Sequence, residues 1–298
     1  MTYETFLTEI SDQIRRRLPA STEAHLRKVH KNNDQVYDGL VITDCASNVS
    51  PTIYVNQFYP RFQNHELSME AITDIVLDQY EAARVDSSLD LSDFTQFEAM
   101  KDRIIFRIVN RSKNAALLET VPHVDYLDFA VTFLCLLSIH NNADATILIH
   151  NSHLTAWHTN VETLFRLAKT NTPRLLAWDL SSMQDILSEL SMPEDDILPS
   201  SDELVCPMYV LTNRIRQHGA GCILYDNLLA SFSEQFDDDF YIIPSSIHEV
   251  LLVPRAQIGS REELDSMIRE VNATQVPDED ILSDHAYLFV REKNQIVY

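Results

Sequence analysis

Asp238-Asp-Phe-Tyr-Ile-Ile-Pro-Ser-Ser-Ile-His-Glu-Val-Leu-Leu-Val-Pro254 is the densest conjunction of strand-like hydrophobics and reactive side chains in the chain. Phe240 to Ile243 and Val250 to Val253 are apolar runs of strand length, and Pro244-Ser-Ser between them reads as a bend, so a hairpin or a bent strand is expected. If the middle stays extended, Ser246, His248 and Val250 share one face, while Ser245, Ile247 and Glu249 share the other. Ser246 and His248 would then reach a common ligand.

Outward from this stretch, strand pairs and helices alternate. Downstream, Ser260-Arg-Glu-Glu263 opens a helix through Leu264, Met267, Ile268 and Val271 to Asn272. Ala286 to Val290 follows as a strand, with Gln295 to Tyr298 available to pair with it. Upstream, Leu228, Leu229, Phe232 and Phe236 mark a helix, and Met208 to Thr212 a strand. Residues 191–207 carry three prolines and five acids without periodic hydrophobics, which predicts a linker or mobile loop.

Before that loop, Thr159-Asn-Val-Glu162 is a capping box, ahead of an apolar face of Val161, Leu164, Phe165 and Ala168 that stops at Asn171 and Pro173. Ser181-Ser-Met-Gln184 repeats the signature. Thr159, Glu162 and Asn171 match Ser260, Glu263 and Asn272 at a constant offset, yet the apolar stripe is displaced by one residue, about 100° of helix rotation. Leu127 to Ser138 and Ala145 to Leu154 read as a long hairpin around His140–Asp144, with a buried helix as the rival for the first arm. Nearer the start, Tyr3 to Leu18 is an amphipathic helix ended by Pro19, residues 25–31 and 35–42 form a hairpin around Asn32-Asn33-Asp34, and Thr52 to Phe58 adds a strand. Ser68 opens a second helix, a short one lies near residues 93–101, and Arg103 to Val109 is β-rich. The expected class is α+β, with mixed, mainly antiparallel sheets and helices following strand pairs. The expected division is an N-terminal lobe over residues 1–190, the acidic loop 191–207, and a C-terminal lobe over residues 208–298.

Composition narrows function by exclusion. Twenty-three Lys and Arg against 45 Asp and Glu give a formal charge of −22, a field that repels phosphate backbones and disfavours direct nucleic-acid binding. The basic residues Arg15-Arg16-Arg17, Arg27, Lys28 and Lys31 read as a solvated helix end and a strand. Four cysteines, Cys45, Cys135, Cys206 and Cys222, show no paired spacing and read as free thiols in a reducing cytoplasm. Thr2 to Leu18 is amphipathic and carries Glu4, Glu9 and Asp12, so it is not expected to act as a signal peptide, and Leu127 to Ile139 is too short to cross a bilayer. Without export, the glycosylation pattern Asn48-Val-Ser50 is idle.

Several constellations resemble chemistry. His150, His153 and His158 match no metal-ligand spacing, and Asp237-Asp-Asp239 and Asp278-Glu-Asp280 lack the glycine and alternation of a calcium loop, so neither a metal nor a cofactor is expected. Gly219-Ala-Gly221 lacks the third glycine of a dinucleotide loop. Ser246, His248 and Glu249 contain a nucleophile, a base and an acid, but Glu249 faces away from His248 in an extended strand, so Asp284 or Asp125 would have to serve. Pro122-His-Val-Asp125 places His123 beside a carboxylate, and His123 joins the candidate site.

Lys31-Asn-Asn33, Asn48-Val-Ser-Pro-Thr-Ile-Tyr54, Val121-Pro-His123, Tyr209-Val-Leu-Thr-Asn213, Pro244-Ser-Ser-Ile-His-Glu-Val250 and Leu282-Ser-Asp284 together resemble an uncharacterised domain-of-unknown-function family of Gram-positive gut bacteria. The likeness spans nearly the whole chain, and it implies a protein often encoded among mobile-element cargo. A looser likeness to YtpQ-like proteins supports the modular plan. Neither resemblance supplies catalytic residues. The expected function is a cytosolic binding protein with a protein partner. The alternatives are a hydrolase using Ser246 and His248 with Asp284 or His123, and an acidic DNA mimic that inhibits a DNA-binding enzyme.

Overall fold

The computed structural model describes residues 1–44, 50–84, 92–140, 143–190 and 207–298. Cys45, Asn48, Cys206, residues 141–142 and nearly all of the acidic stretch 191–207 lie outside the described residues. The chain divides into two units, Met1–Lys31 with Gln35–Asp93, and Asn32–Asp34 with Phe94–Tyr298.

In the first unit, apolar residues at three- and four-residue spacing make α1 (Tyr3–Arg17) and α3 (Met69–Ala83), separated by β1 (Thr22–His30), β2 (Val36–Asp44), β3 (Thr52–Tyr54) and α2 (Phe58–Gln63). The strands form an antiparallel sheet in the order β1-β2-β3, with Leu26 opposite Leu40 and Leu40 opposite Ile53. Phe6, Ile10 and Ile14 of α1 and Ile72 and Val76 of α3 are fully buried in one core with Leu40 and Ile42. Both helices start on hydroxyl caps: Thr2 Oγ1 accepts from the Thr5 N–H at 3.3 Å, and Ser68 Oγ from the Ala71 N–H at 3.1 Å. The expected strand 52–58 is cut short, because the chain turns helical at Phe58, which is buried in the same core.

The second unit contains α4 (Phe97–Met100), β4 (Ile104–Asn110), α5 (Ala115–Leu118), β5 (His123–Tyr126), β6 (Phe129–His140), β7 (Ala143–Leu148), α6 (Asn151–Trp157) and α7 (Val161–Leu175). These are followed by β8 (Trp178–Ser182), α8 (Met183–Leu190), β9 (Tyr209–Asn213), α9 (Leu228–Phe236), β10 (Phe240–Pro244), β11 (Val250–Pro254), α10 (Arg261–Thr274), β12 (Tyr287–Val290) and β13 (Gln295–Val297). β6 pairs with β4 along one edge and with β5 and β7 along the other, whereas a second sheet runs β13-β12-β10-β11-β9-β8; every pairing is antiparallel. The fold is α+β.

Strand alternation explains the apolar run at residues 240–254. Phe240, Ile242, Val250 and Leu252 enter the core that also holds Phe106, Phe133 and Leu211, while Ile243 and Val253 pack with Leu264 and Ile268 of α10. Both faces are covered, so the run shows little polarity contrast. The expected division into lobes at residues 190 and 208 is not the observed one. Trp178–Ser182 pairs residue by residue with Tyr209–Asn213, so one sheet spans that boundary.

Two helix starts sit one residue later than the capping signatures place them. Asn160 Oδ1 accepts from the Thr163 N–H at 2.9 Å, and Ser182 Oγ from the Asp185 N–H at 3.0 Å. Ser260 caps α10 as expected, with its Oγ accepting from the Glu263 N–H at 3.2 Å. The true caps, Asn160 and Ser260, bring buried Leu164 and Ala168 of α7 into register with Leu264 and Ile268 of α10, which removes the apparent one-residue displacement of the stripe. The second arm of the β6–β7 hairpin ends at Leu148, and His150, His153 and His158 instead frame α6. The His150 N–H donates to His153 Nδ1 at 3.0 Å, and His158 closes the helix in a left-handed conformation with φ 51°.

Candidate functional site

The site grows from Asn213 at the end of β9. Its buried amide accepts from the N–H groups of Ile215 at 3.2 Å and Gln217 at 3.3 Å and donates to the Gln217 carbonyl at 2.8 Å. This folds residues 213–218 into a tight loop with Arg216 at φ 53° and His218 at φ 54°, both left-handed. Gly219 then passes so close to β9 that a Cβ would lie 2.2 Å from Thr212 Oγ1 and 2.5 Å from the His248 carbonyl oxygen. The glycine serves close backbone approach rather than phosphate binding.

That loop presents the His218 N–H to His248 Nδ1 at 3.2 Å, and the two rings stack 5.7 Å apart at 22°. A backbone N–H can only donate, so Nδ1 of His248 accepts and its proton sits on Nε2, 3.3 Å from Asp280 Oδ1. The segment between β10 and β11 is not extended. Ser246 Oγ accepts the backbone N–H of His248 at 3.0 Å, the Ser246 N–H reaches the Glu249 carbonyl at 3.2 Å, and the shared face expected for Ser246 and His248 is lost. Ser246 and His248 are brought together, but through the backbone of His248 and not through its ring.

Asp284 and Asp125 are engaged elsewhere. Asp284 accepts from Asn272 Nδ2 at 2.9 Å and pairs with Lys113 Nζ at 3.2 Å; burial acts to raise its pKa, but these two partners outweigh it and hold the carboxyl below its ordinary value. Asp125 pairs with Arg111 at 3.1 Å. His123 donates from Nδ1 to the Val121 carbonyl at 3.1 Å. On the sheet it stands opposite Thr132, which stands opposite Arg107, so the three residues form one row across β5, β6 and β4.

Sequence reasoning missed His218, Arg107 and Thr132, and weighed Asp280 only as part of an acidic turn. Arg107 had a signal, as the one charge inside Ile104-Ile-Phe-Arg-Ile-Val109. Its Nε donates to Thr132 Oγ1 at 3.4 Å, and burial lowers its pKa to about 10. His218 is held neutral, its pKa lowered to about 3 by burial first, then by the Arg107 guanidinium and by His248. Its Nδ1 is buried with no hydrogen-bond partner. In the unfolded chain His218 takes up a proton near pH 6.5, whereas in the folded chain it does so only near pH 3. Stability due to this residue is therefore present above pH 6.5 and lost as pH falls toward 3, with a slope of at most ~1.4 kcal/mol per pH unit. His218→Asn, which tolerates the left-handed backbone, is expected to flatten that acid limb in urea titrations at stepped pH; an unchanged slope would refute the assignment.

Asp280 is held by an asparagine clasp on residues 278–283. Asn33 Nδ2 donates to the carbonyls of Asp278 and Ile281, both at 2.7 Å, and Asn32 Nδ2 to that of Glu279 at 2.7 Å. The Asp280 carbonyl accepts from the Ile247 N–H at 2.8 Å, that of Leu282 from Asn110 Nδ2 at 3.0 Å, and that of Ser283 from Asn272 Nδ2 at 2.9 Å. Six successive carbonyls are thus satisfied in a segment that belongs to neither sheet.

Just beyond it lies a polar ring in which His285 Nε2 makes no hydrogen bond to the described residues. Tyr287 Oη donates to Asp128 Oδ1 and lies 3.0 Å from Ser283 Oγ, Ser283 Oγ lies 3.0 Å from His285 Nδ1, and His285 Nε2 lies 3.5 Å from Asp128 Oδ2. Ser283 and Tyr287 are each only 1% exposed, which keeps substrates from the hydroxyls. The other suggestive clusters resolve into structure. Asp237 and Asp239 pair with Arg291 and Arg255, and among the described residues no group of three or more His, Cys, Asp and Glu is placed to hold a metal ion. No helix among the described residues is long and apolar enough to cross a membrane.

The model of a family of unknown function, DUF5688, matches residues 3–291. The chain belongs to this family. No curated protein and no solved structure matches it. The DUF5688 match takes in both units, the histidine pair, the clasp and the ring.

Proposed function

We propose that this DUF5688 chain is a binding protein and not a hydrolase working through Ser246 and His248. One observation carries this: both ring nitrogens of His248 are already engaged, by the His218 N–H at 3.2 Å and by Asp280 at 3.3 Å. A general base needs a free lone pair within reach of the nucleophile's proton, and Ser246 Oγ instead accepts from the backbone. The residues nominated for bond-making hold two loops together. The formal charge of −22 supports a partner other than a nucleic-acid backbone. Cys135 and Cys222, unpaired and buried, with burial pushing their thiols up to about 11 and about 12, support action in a reducing compartment.

The test is a screen of the purified chain against esters, phosphoesters, peptides and glycosides, alongside Ser246→Ala and His248→Ala. No saturable turnover is expected from any of the three proteins, while the native chain used as bait should retain a partner at fixed stoichiometry. Saturable turnover that is lost in either variant overturns the proposal.

A further inference from the structure

A guanidinium in a half-buried position with no counter-ion is costly, because the low-dielectric surroundings penalise an uncompensated charge. Arg107 is in that position. Its Nε reaches the neutral hydroxyl of Thr132, and no carboxylate pairs with its two terminal nitrogens among the described residues. Eight other arginines also hold no carboxylate among the described residues, but all eight are exposed, whereas Arg107 is half-buried. Arg15, Arg17, Arg84, Arg111, Arg255 and Arg291 all hold carboxylates, in a protein with 45 acids to draw on.

The surroundings are polar. Thr132 is fully buried beneath the guanidinium, and His123 lies across the strand from it. On the same sheet face the row is bracketed by two apolar clusters, Ile105, Leu134 and Leu136 on one side and Val109, Val121 and Ala130 on the other, so the charge is set in a non-polar frame.

We propose that Arg107, oriented by Thr132, is a binding site for a carboxylate-bearing ligand. The two terminal N–H groups of a guanidinium match the two oxygens of one carboxylate in a planar fork. The single positive charge is balanced by a monoanion. A phosphate dianion would leave a net negative charge in a half-buried site within a chain of charge −22. The proposal rests on the binding reading above and gives it a ligand class; a small organic acid and the carboxylate of a peptide present the same group.

The test uses the full chain, with sodium acetate, a short peptide with a free C-terminus and sodium phosphate as probes, each against sodium chloride at equal ionic strength. Binding is read by the rise in Tm with the logarithm of probe concentration and by a shift of the Thr132 amide resonance. Acetate is expected to bind at millimolar concentration and more tightly than phosphate, and tighter binding of the peptide would assign the source to a chain end. Arg107→Gln should fold, since it removes an unpaired charge, and should lose acetate affinity at least tenfold. Arg107→Lys keeps the charge without the fork and should lose severalfold. Acetate indistinguishable from chloride, phosphate tighter than acetate, or unchanged affinity in the Arg107 variants would each overturn the site. None of these readouts involves turnover, so their failure leaves the non-catalytic reading standing, and turnover in the substrate screen leaves the acetate result standing.

Discussion

Replacing Asn114 by alanine is expected to lower stability by about 3–5 kcal/mol, because three buried groups lose their partner at ~1–3 kcal/mol each with some relaxation. The side chain is fully buried. Its Oδ1 accepts the Asn33 N–H at 2.9 Å, and its Nδ2 donates to Asn33 Oδ1 at 2.9 Å and to the Asn110 carbonyl at 2.8 Å. Asn33 in turn holds the carbonyls of Asp278 and Ile281, so the loss extends to the segment that carries Asp280. The measurement is urea unfolding at pH 7, with amide hydrogen exchange across residues 278–285 to localise the damage. A loss under 1 kcal/mol would show that water replaces the amide and that the clasp is not a structural device.

Gly219→Ala is the second large effect, with an expected cost of about 3 kcal/mol or more, at the upper end for overpacking. The added Cβ would lie 2.2 Å from Thr212 Oγ1, 2.5 Å from the His248 carbonyl oxygen and 2.7 Å from the Asn213 nitrogen, and two of those three are backbone atoms. Thr212 Oγ1 is itself bonded to the His248 carbonyl at 2.8 Å, so relieving the clash pulls apart the link that sets the imidazole. The variant should show separation of the stacked His218 and His248 rings in NMR as well as a lower unfolding midpoint. Gly259→Ala, where the nearest atom is a flexible Glu263 oxygen at 3.5 Å, is the control and should be close to neutral.

These residues show where local pattern carries information and where it does not. The hairpin over residues 240–254 was legible because strand period and bend chemistry depend on neighbours in sequence. The family resemblance was also correct at the level of an uncharacterised domain. Asn160 and Ser182 escaped because two adjacent polar residues compete to cap each helix, and packing of the buried face decides between them. The expected pairing of Ser246 with the His248 ring assumed an extended backbone, whereas the serine hydroxyl offered a local turn hydrogen bond that outcompeted it. Asp280 and Arg107 reach their neighbours through contacts between distant segments, for which periodicity has no signal. His248 and Asp280 are separated by α10, and the Arg107 charge acts on His218 only once β4 lies near the loop after β9.

The asparagine clasp also gives the molecule a chemical clock. An amide differs from a carboxylate by one nitrogen, and slow hydrolysis of an asparagine side chain exchanges a donor for an acceptor without altering its shape. At Asn33 that exchange would turn oxygen toward the carbonyls of Asp278 and Ile281, now held at 2.7 Å, and replace attraction with repulsion at both. Aged preparations should therefore lose order first around residues 278–283, and the damage would register as a mass gain of about one dalton on a segment far away in sequence, at the turn between the first two strands.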